Sequence, residues 1–314
     1  MNNIWGDMSQ YDPVTWNWII AVYLFLAGLS AGSLLVGLVV NWLRGGDSDY
    51  QAQPLLKAAA LIAPIAICLG MLCLVLDLTK PFDFWVILVN YNLESVMSLG
   101  VIVLLVYIPL SFVFALMVFH REVAQWVPSL AGLTNSLLGY KALIERSLFV
   151  LAIAVAAYTG FLISALTAYP LLNTAALPAL FLFSALSAGA AANSLVGILF
   201  FGAHTTQPEM KTTHALELPV VSLEILFLVM LFATLYLTGG ASALALAALS
   251  EGVWAQVFWI GVVGIGFGVP LMSGLLPSKT RHLKATALTV AFASLVGVLA
   301  LRHFIIYAGQ TYTL

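Results

Sequence analysis

Apolar residues run along this chain in long unbroken stretches, separated by short polar clusters, with no helical or strand alternation inside the stretches. An α-helix needs about 20 residues, at ~1.5 Å each, to cross ~30 Å of hydrocarbon. Eight stretches reach that length: roughly 16–43, 56–78, 96–119, 147–169, 177–202, 217–238, 253–276 and 285–308. Chain breakers fall where the stretches end: Arg44-Gly45-Gly46-Asp47 after the first, Lys80-Pro81 after the second and Tyr169-Pro170 after the fourth. Pro178 opens the fifth, Gly239-Gly240 closes the sixth and Pro277 the seventh. Inside the seventh, Gly264, Gly266, Gly268 and Pro270 predict a kink. No internal repeat is evident along the run of spans.

The expected class is an all-α integral membrane protein with eight transmembrane helices in a single membrane domain, 1–314. Composition excludes the alternatives. Hydrophobic residues make up 62% of the 314 and charged ones 8%, against about 25% charged in a soluble domain. Thirteen acidic and eleven basic side chains cannot cover a soluble surface of this size, and the apolar runs exclude disorder. No basic stretch exists to bind nucleic acid. Cys68 and Cys73 fall in one apolar run at i, i+5, facing apart, and read as small buried apolar side chains. No Lys or Arg precedes Arg44, and the first run is too long for a signal peptide, so no cleavable signal is expected.

Orientation follows from the basic residues of the connections. Those after spans one, three, five and seven carry Arg44, Lys57, Arg121, Lys141, Arg146, Lys211, Lys279, Arg281 and Lys284, whereas the other side has only Lys80. The asymmetry places both termini outside, in the periplasm of a bacterium, with the protein in the inner (cytoplasmic) membrane. The outer segments differ in composition. Residues 1–18 hold Trp5, Asp7, Tyr11, Asp12, Trp16 and Trp18, and residues 77–95 hold Asp77, Asp83, Phe84, Trp85, Tyr91 and Glu94. Aromatics also form an ordinary interfacial belt, but the 79–95 loop is longer than a turn needs and is expected to dock an external partner.

Ionisable groups within hydrocarbon are costly, so each needs a partner or a task. Asp77 ends span two; Arg302 and His303 lie ~9 and ~7 Å from the outer end of span eight, and Glu224 ~10 Å from the inner end of span six. With Asn17 at the mouth of span one and Tyr158 midway along span four, they predict a polar cluster opening outward. Such a cluster suits a quinone, whose ring and tail prefer lipid and whose two oxygens need donors that Tyr and His supply. The bland alternatives are an Asp77–Arg302 ion pair that locks spans two and eight, and a core role for Tyr158. Glu224, with no basic partner foreseen, is either protonated by burial or one stop on a proton path. A transmembrane haem needs two facing histidines. His120 and His204 lie at span ends, His214 and His282 in connections, and only His303 within a span, so no haem, iron–sulfur cluster or metal is expected in this chain. Gly28-x-x-x-Gly32 and the Ser184, Ser187, Ala188, Gly189, Ala192 series mark close helix approach.

Trp16-Asn17-Trp18-Ile19-Ile20-Ala21-Val22-Tyr23-Leu24-Phe25-Leu26-Ala27-Gly28-Leu29-Ser30-Ala31-Gly32 resembles the opening helix of the NrfD/PsrC family, the membrane subunits of polysulfide-reductase-like complexes. Further strings resemble that family in order: Leu76-Asp77-Leu78 with Pro81 and Phe84-Trp85, Ser95-Val96-Met97-Ser98-Leu99-Gly100, Tyr158-Thr159-Gly160, and Arg302 followed by Gly309-Gln310. The resemblance spans nearly all 314 residues. It implies two four-helix bundles, no haem or metal in this protein, and a menaquinone or ubiquinone site near the periplasmic face. It also implies a periplasmic ferredoxin-like iron–sulfur subunit and a molybdopterin catalytic subunit as partners. Carried over, Tyr158 and Asn17 are the quinone contacts, with Asp77 and Arg302 close by. A relative's first helix supplies a histidine to the quinone; this one has none, and His303 is the substitute.

The expected function is therefore quinol oxidation by the membrane subunit of an anaerobic respiratory complex. Electrons leave over the 77–95 loop to iron–sulfur clusters, and protons leave past Asp77 and the Arg302/His303 region. Polysulfide, thiosulfate or a related sulfur compound is the terminal acceptor by analogy. Where coupling pumps protons, Glu224 is the relay. Two other classes compete: a secondary transporter using Glu224 and Asp77, disfavoured without a repeat, and a structural anchor whose polar cluster only locks helices.

Overall fold

The computed structural model describes residues 16–45, 50, 53–78, 80–89, 92, 94–250, 252–277, 280 and 283–310. Eight helices are long and apolar enough to cross a membrane. They are α1 (Trp18–Leu43), α2 (Pro54–Asp77), α3 (Val96–Val118), α4 (Lys141–Ser164), α5 (Ala176–Phe200), α6 (Pro208–Thr238), α7 (Gly252–Leu275) and α8 (Lys284–Gly309). No strand occurs among the described residues. The outward aromatics Trp5, Tyr11 and Tyr91, and the connection residues Lys279, Arg281 and His282, lie outside them.

Local chemistry sets the helix ends. Asn17 caps α1, its Oδ1 accepting from the Ile19 N–H at 2.9 Å. Pro54 and Pro208 stand in the first turns of α2 and α6, where a missing N–H is harmless. Gly239, at φ +69°, ends α6 in a conformation that favours glycine. In α7 the glycine-rich stretch changes the winding: Val257–Gly268 is π-helix, flanked by α-helical turns.

Two helices start earlier than the apolar runs predict. Helix α4 begins at Lys141, not 147, because Glu145 is satisfied by hydrogen bonds at the bundle's end. Helix α6 begins at Pro208, not 217, with Glu209 paired to Arg44. A second correction concerns the cysteines. Both are free, but Cys68 is exposed on the outside of the bundle, not buried within it.

Helices α1 and α5 form the centre. Glycine lets their backbones touch: a Cβ on Gly32 would collide with the Ala185 carbonyl, and one on Gly189 with the Gly32–Ser33 backbone. Lipid is as apolar as leucine, so such close contact is what holds membrane helices together. Around this crossing, α1 also packs on α2 and α4, with α3 between them; α5 also packs on α6 and α8, with α7 against α8. Phe232 of α6 meets Phe258 of α7 edge-on at 5.4 Å.

The crossing exposes a repeat, contrary to the expectation of none. Leu29-Ser30-Ala31-Gly32 on α1 recurs as Leu186-Ser187-Ala188-Gly189 on α5. Gln53-Pro54-x-x-Lys57 opens α2, and Gln207-Pro208-x-x-Lys211 opens α6. Gly100 of α3 lies against Tyr158 of α4, as Gly261 of α7 lies against Ala300 of α8. Four spans separate each pair of landmarks, so the halves run parallel, unlike the inverted repeats of many transporters. The similarity rests on a few spaced landmarks, and the residues between them need only be apolar.

Candidate functional site

On the face where α1 begins, the first four helices hold two tyrosines. Tyr23 of α1 is 1% exposed, and Tyr158 of α4 lies against Gly100 of α3. Gly100 creates the space for Tyr158. The Tyr23 ring lies 3.5 Å from the Cβ position of Gly70 on α2, and a Cβ on Gly100 would overlap the Tyr158 ring. Tyr158 is half-buried, and its hydroxyl reaches the Met97 carbonyl only at 3.5 Å, too long for a strong hydrogen bond. It is an underused donor near the surface of an apolar bundle. Tyr23 was not among the expected site residues; the available signal was a tyrosine inside the first span.

The other predicted residues are distributed around this pair. Asp77 is half-buried at the last residue of α2, seven residues beyond Gly70, about 10 Å along the helix. Asn17 spends its side-chain oxygen on the α1 cap. Beside it, the Gln310 amide clamps Trp16 at both backbone atoms, accepting from N–H at 2.8 Å and donating to C=O at 3.0 Å. A cavity of about 590 Å³ opens between α4 and α5 on the same face, lined by Ala157, Phe161, Ser164, Asn173, Pro178 and Leu182 among others.

Arg302 belongs to a different group. It is fully buried, lies 3.6 Å over the Phe181 ring, and donates from Nη2 to Ser184 Oγ at 2.6 Å and to the Phe181 carbonyl at 3.2 Å. Its charge interacts with Glu224, itself 1% exposed. No hydrogen bond joins them, and Glu224 Oε2 and Arg302 Nε and Nη1 have no hydrogen-bond partner among the described residues. Two expectations are thereby corrected. The arginine's electrostatic partner is Glu224, and no Asp77–Arg302 ion pair forms among the described residues; Glu224 does have a basic partner. The depth expected for Glu224 was too shallow because α6 starts at Pro208, which puts this residue near mid-helix.

His303 donates from Nδ1–H to the Leu299 carbonyl at 2.9 Å. Its ring parallels Tyr307 at 6.4 Å, and Tyr307 stacks on Trp254 at 4.4 Å. No contact among the described residues joins His303 or Arg302 to Tyr158. The predicted cluster thus divides: Tyr158, with Tyr23, in the first half; Arg302, Glu224 and His303 in the second.

The opposite face carries an unpredicted network. Glu145 is 3% exposed and accepts from Tyr50 Oη at 2.7 Å, Trp42 Nε1 at 2.8 Å and Asn41 Nδ2 at 3.4 Å. Lys141 lies 4.6 Å over the Tyr50 ring. Burial, then the nearby Glu145 charge, pushes the Tyr50 phenol well above its ordinary pKa of 10.0. Salt bridges Arg44–Glu209 and Lys57–Glu122, each 2.8 Å, flank it. Among the described residues no group of three His, Cys, Asp or Glu could hold a metal.

Known proteins resemble this one from end to end. The family model described as "Polysulphide reductase, NrfD" matches residues 6–313. The C component of polysulfide reductase from Wolinella succinogenes is 45% identical, with 99% of each sequence aligned. Protein NrfD of Escherichia coli is 37% identical over 96% of each. The C component of selenate reductase from Mesobacillus selenatarsenatis is 24% identical over 93% of this protein and 73% of its own length.

Proposed function

The chain belongs to the NrfD polysulphide reductase family, is a multi-pass inner-membrane protein, and from that premise we propose that it oxidises quinol for a reductase complex. Menaquinol or ubiquinol enters from the lipid beside Tyr23 and Tyr158. α1 begins and α8 ends at the periplasmic face, and the helices form two four-helix bundles, α1–α4 and α5–α8. The observation that carries this reading is the Tyr158 hydroxyl, half-buried with its ring against Gly100 of α3 and reaching only the Met97 carbonyl at 3.5 Å.

Oxidation of one quinol to quinone releases two electrons and two protons. The Tyr158 hydroxyl and the free amide end of Asn17 hold the head-group oxygens. Asp77, half-buried at the end of α2, takes protons toward water. Tyrosines hold protons tightly, so here Tyr158 orients the head group and Asp77 is the base. Both electrons pass to a ferredoxin-like iron–sulfur subunit, and on to a molybdopterin subunit that reduces polysulfide, thiosulfate or a related sulfur compound. Phe82, Phe84, Trp85 and Val89, all exposed on the short helices Pro81–Asp83 and Trp85–Val89 or between them, supply the docking surface; apolar patches of this kind mark protein contacts. In a pumping complex Glu224 is the relay.

The test is binding of a fluorescent quinol-analogue inhibitor to the purified complex, wild type against Tyr158→Phe. Saturable binding that the substitution weakens, with the complex assembled, supports the site. Absent binding to wild type leaves a structural anchor, and binding indifferent to Tyr158 moves the site elsewhere.

A further inference from the structure

The two halves differ at one edge. In the first, residues 119–140 join α3 to α4 and fold into short helices His120–Trp126 and Ala131–Leu138, the second of which packs on α3. In the second, residues 276–283 join α7 to α8. There a groove of about 570 Å³ stays open between the end of α7 and the start of α8. Gly264, Gly268 and Met272 line it from α7, and Thr286, Thr289 and Val290 from α8.

The groove is apolar along its length and positive at its end. Lys284, exposed, is the first residue of α8. Leu283 precedes it, so no side chain caps the helix and its first N–H groups point outward. That end carries the positive pole of the helix dipole. The Thr286 and Thr289 hydroxyls have no hydrogen-bond partner among the described residues, whereas Ser273 across the groove donates to the Pro270 carbonyl at 2.7 Å.

We propose that this groove binds one anionic phospholipid from the leaflet on the Lys284 side. An acyl chain lies along Gly264, Gly268 and Met272, where the missing side chains make room. The phosphate meets Lys284 Nζ and the uncapped first turn of α8, and the ester oxygens accept from Thr286 and Thr289. An acyl chain gains little by leaving lipid for an apolar groove. Discrimination therefore resides in the head group, and the site selects charge over chain length. Nothing here depends on quinol oxidation.

The test uses the purified full complex, delipidated in mild detergent and titrated with phosphatidylglycerol or phosphatidylethanolamine, with bound lipid counted by native mass spectrometry. Wild type should bind phosphatidylglycerol about fivefold more tightly, the effect of one lysine near a membrane surface. Lys284→Gln should abolish the preference and Thr289→Trp should remove the bound lipid. No preference in wild type, a preference that survives Lys284→Gln, or a lipid retained by a folded Thr289→Trp protein would each overturn the proposal. Lys284 is exposed, so its substitution remains decisive if the tryptophan variant does not fold.

Discussion

Gly100→Ala adds one methyl group and tests whether the Tyr158 ring is held where the chemistry needs it. The new Cβ would overlap the ring. Ordinary carbon–carbon contact is ~3.5 Å, so the ring must retreat by more than about 1 Å or α3 and α4 must part. The helix itself is not weakened: Ala is favoured over Gly within a helix by about 0.8–1 kcal/mol. A misplacement of about 1 Å at a positioned group can cost on the order of 100-fold in rate. We therefore expect quinol-dependent electron transfer by the assembled complex to fall roughly 10- to 100-fold, within that range. The assay is steady-state quinol oxidation coupled to the iron–sulfur partner, with complex yield measured in parallel. Gly100→Ala combined with Tyr158→Ala should recover any lost thermal stability, because the clash is gone, while turnover stays low. Full activity in a folded Gly100→Ala protein would refute the role given to the ring's position.

Two further predictions concern the remaining polar groups. Arg302→Met removes the cation whose field reaches buried Glu224, so thermal stability should fall, and adding Glu224→Gln should restore part of the loss. Equal melting of the single and double variants would show that the two charges do not depend on each other. Tyr50 titrates in the folded protein above its ordinary 10.0. The unfolded chain releases that proton first, so the stability it contributes is complete below about pH 10 and declines above it. Wild-type melting temperature should fall more steeply above about pH 10 than that of Tyr50→Phe; parallel profiles would contradict the Tyr50–Glu145 coupling.

The parallel repeat gives one backbone plan two chemistries. Where the first half places Tyr158 beside a glycine of α3, the second places Ala300 of α8, half a turn before Arg302, beside Gly261 of α7. One half presents a phenol near its surface; the other encloses a guanidinium and a carboxylate. A carboxylate and arginine in the middle of a bundle are tolerable because each neutralises part of the other's field.

The sequence alone determined the class of protein, the number of spans and the sites of close helix contact. Those properties depend on the length of apolar runs and on small residues at one-turn spacing, both of which are local. It also determined which polar side chains lie within spans. The tertiary structure decided which of them meet. Arg302 turns to Glu224 and not to Asp77 because α8 packs on α5 with its guanidinium over Phe181, an outcome of helix rotation that an apolar run does not encode. Tyr158 finds its place by the same kind of choice, and the glycine that admits its ring, Gly100, is distant from it in the chain. Glu145 lies just ahead of an apolar run, with nothing local to show that α1, Tyr50 and α4 converge to bury it. Span depth is written along one helix, whereas pairing depends on how eight helices turn their faces, and in hydrocarbon nearly every face is apolar enough to turn either way.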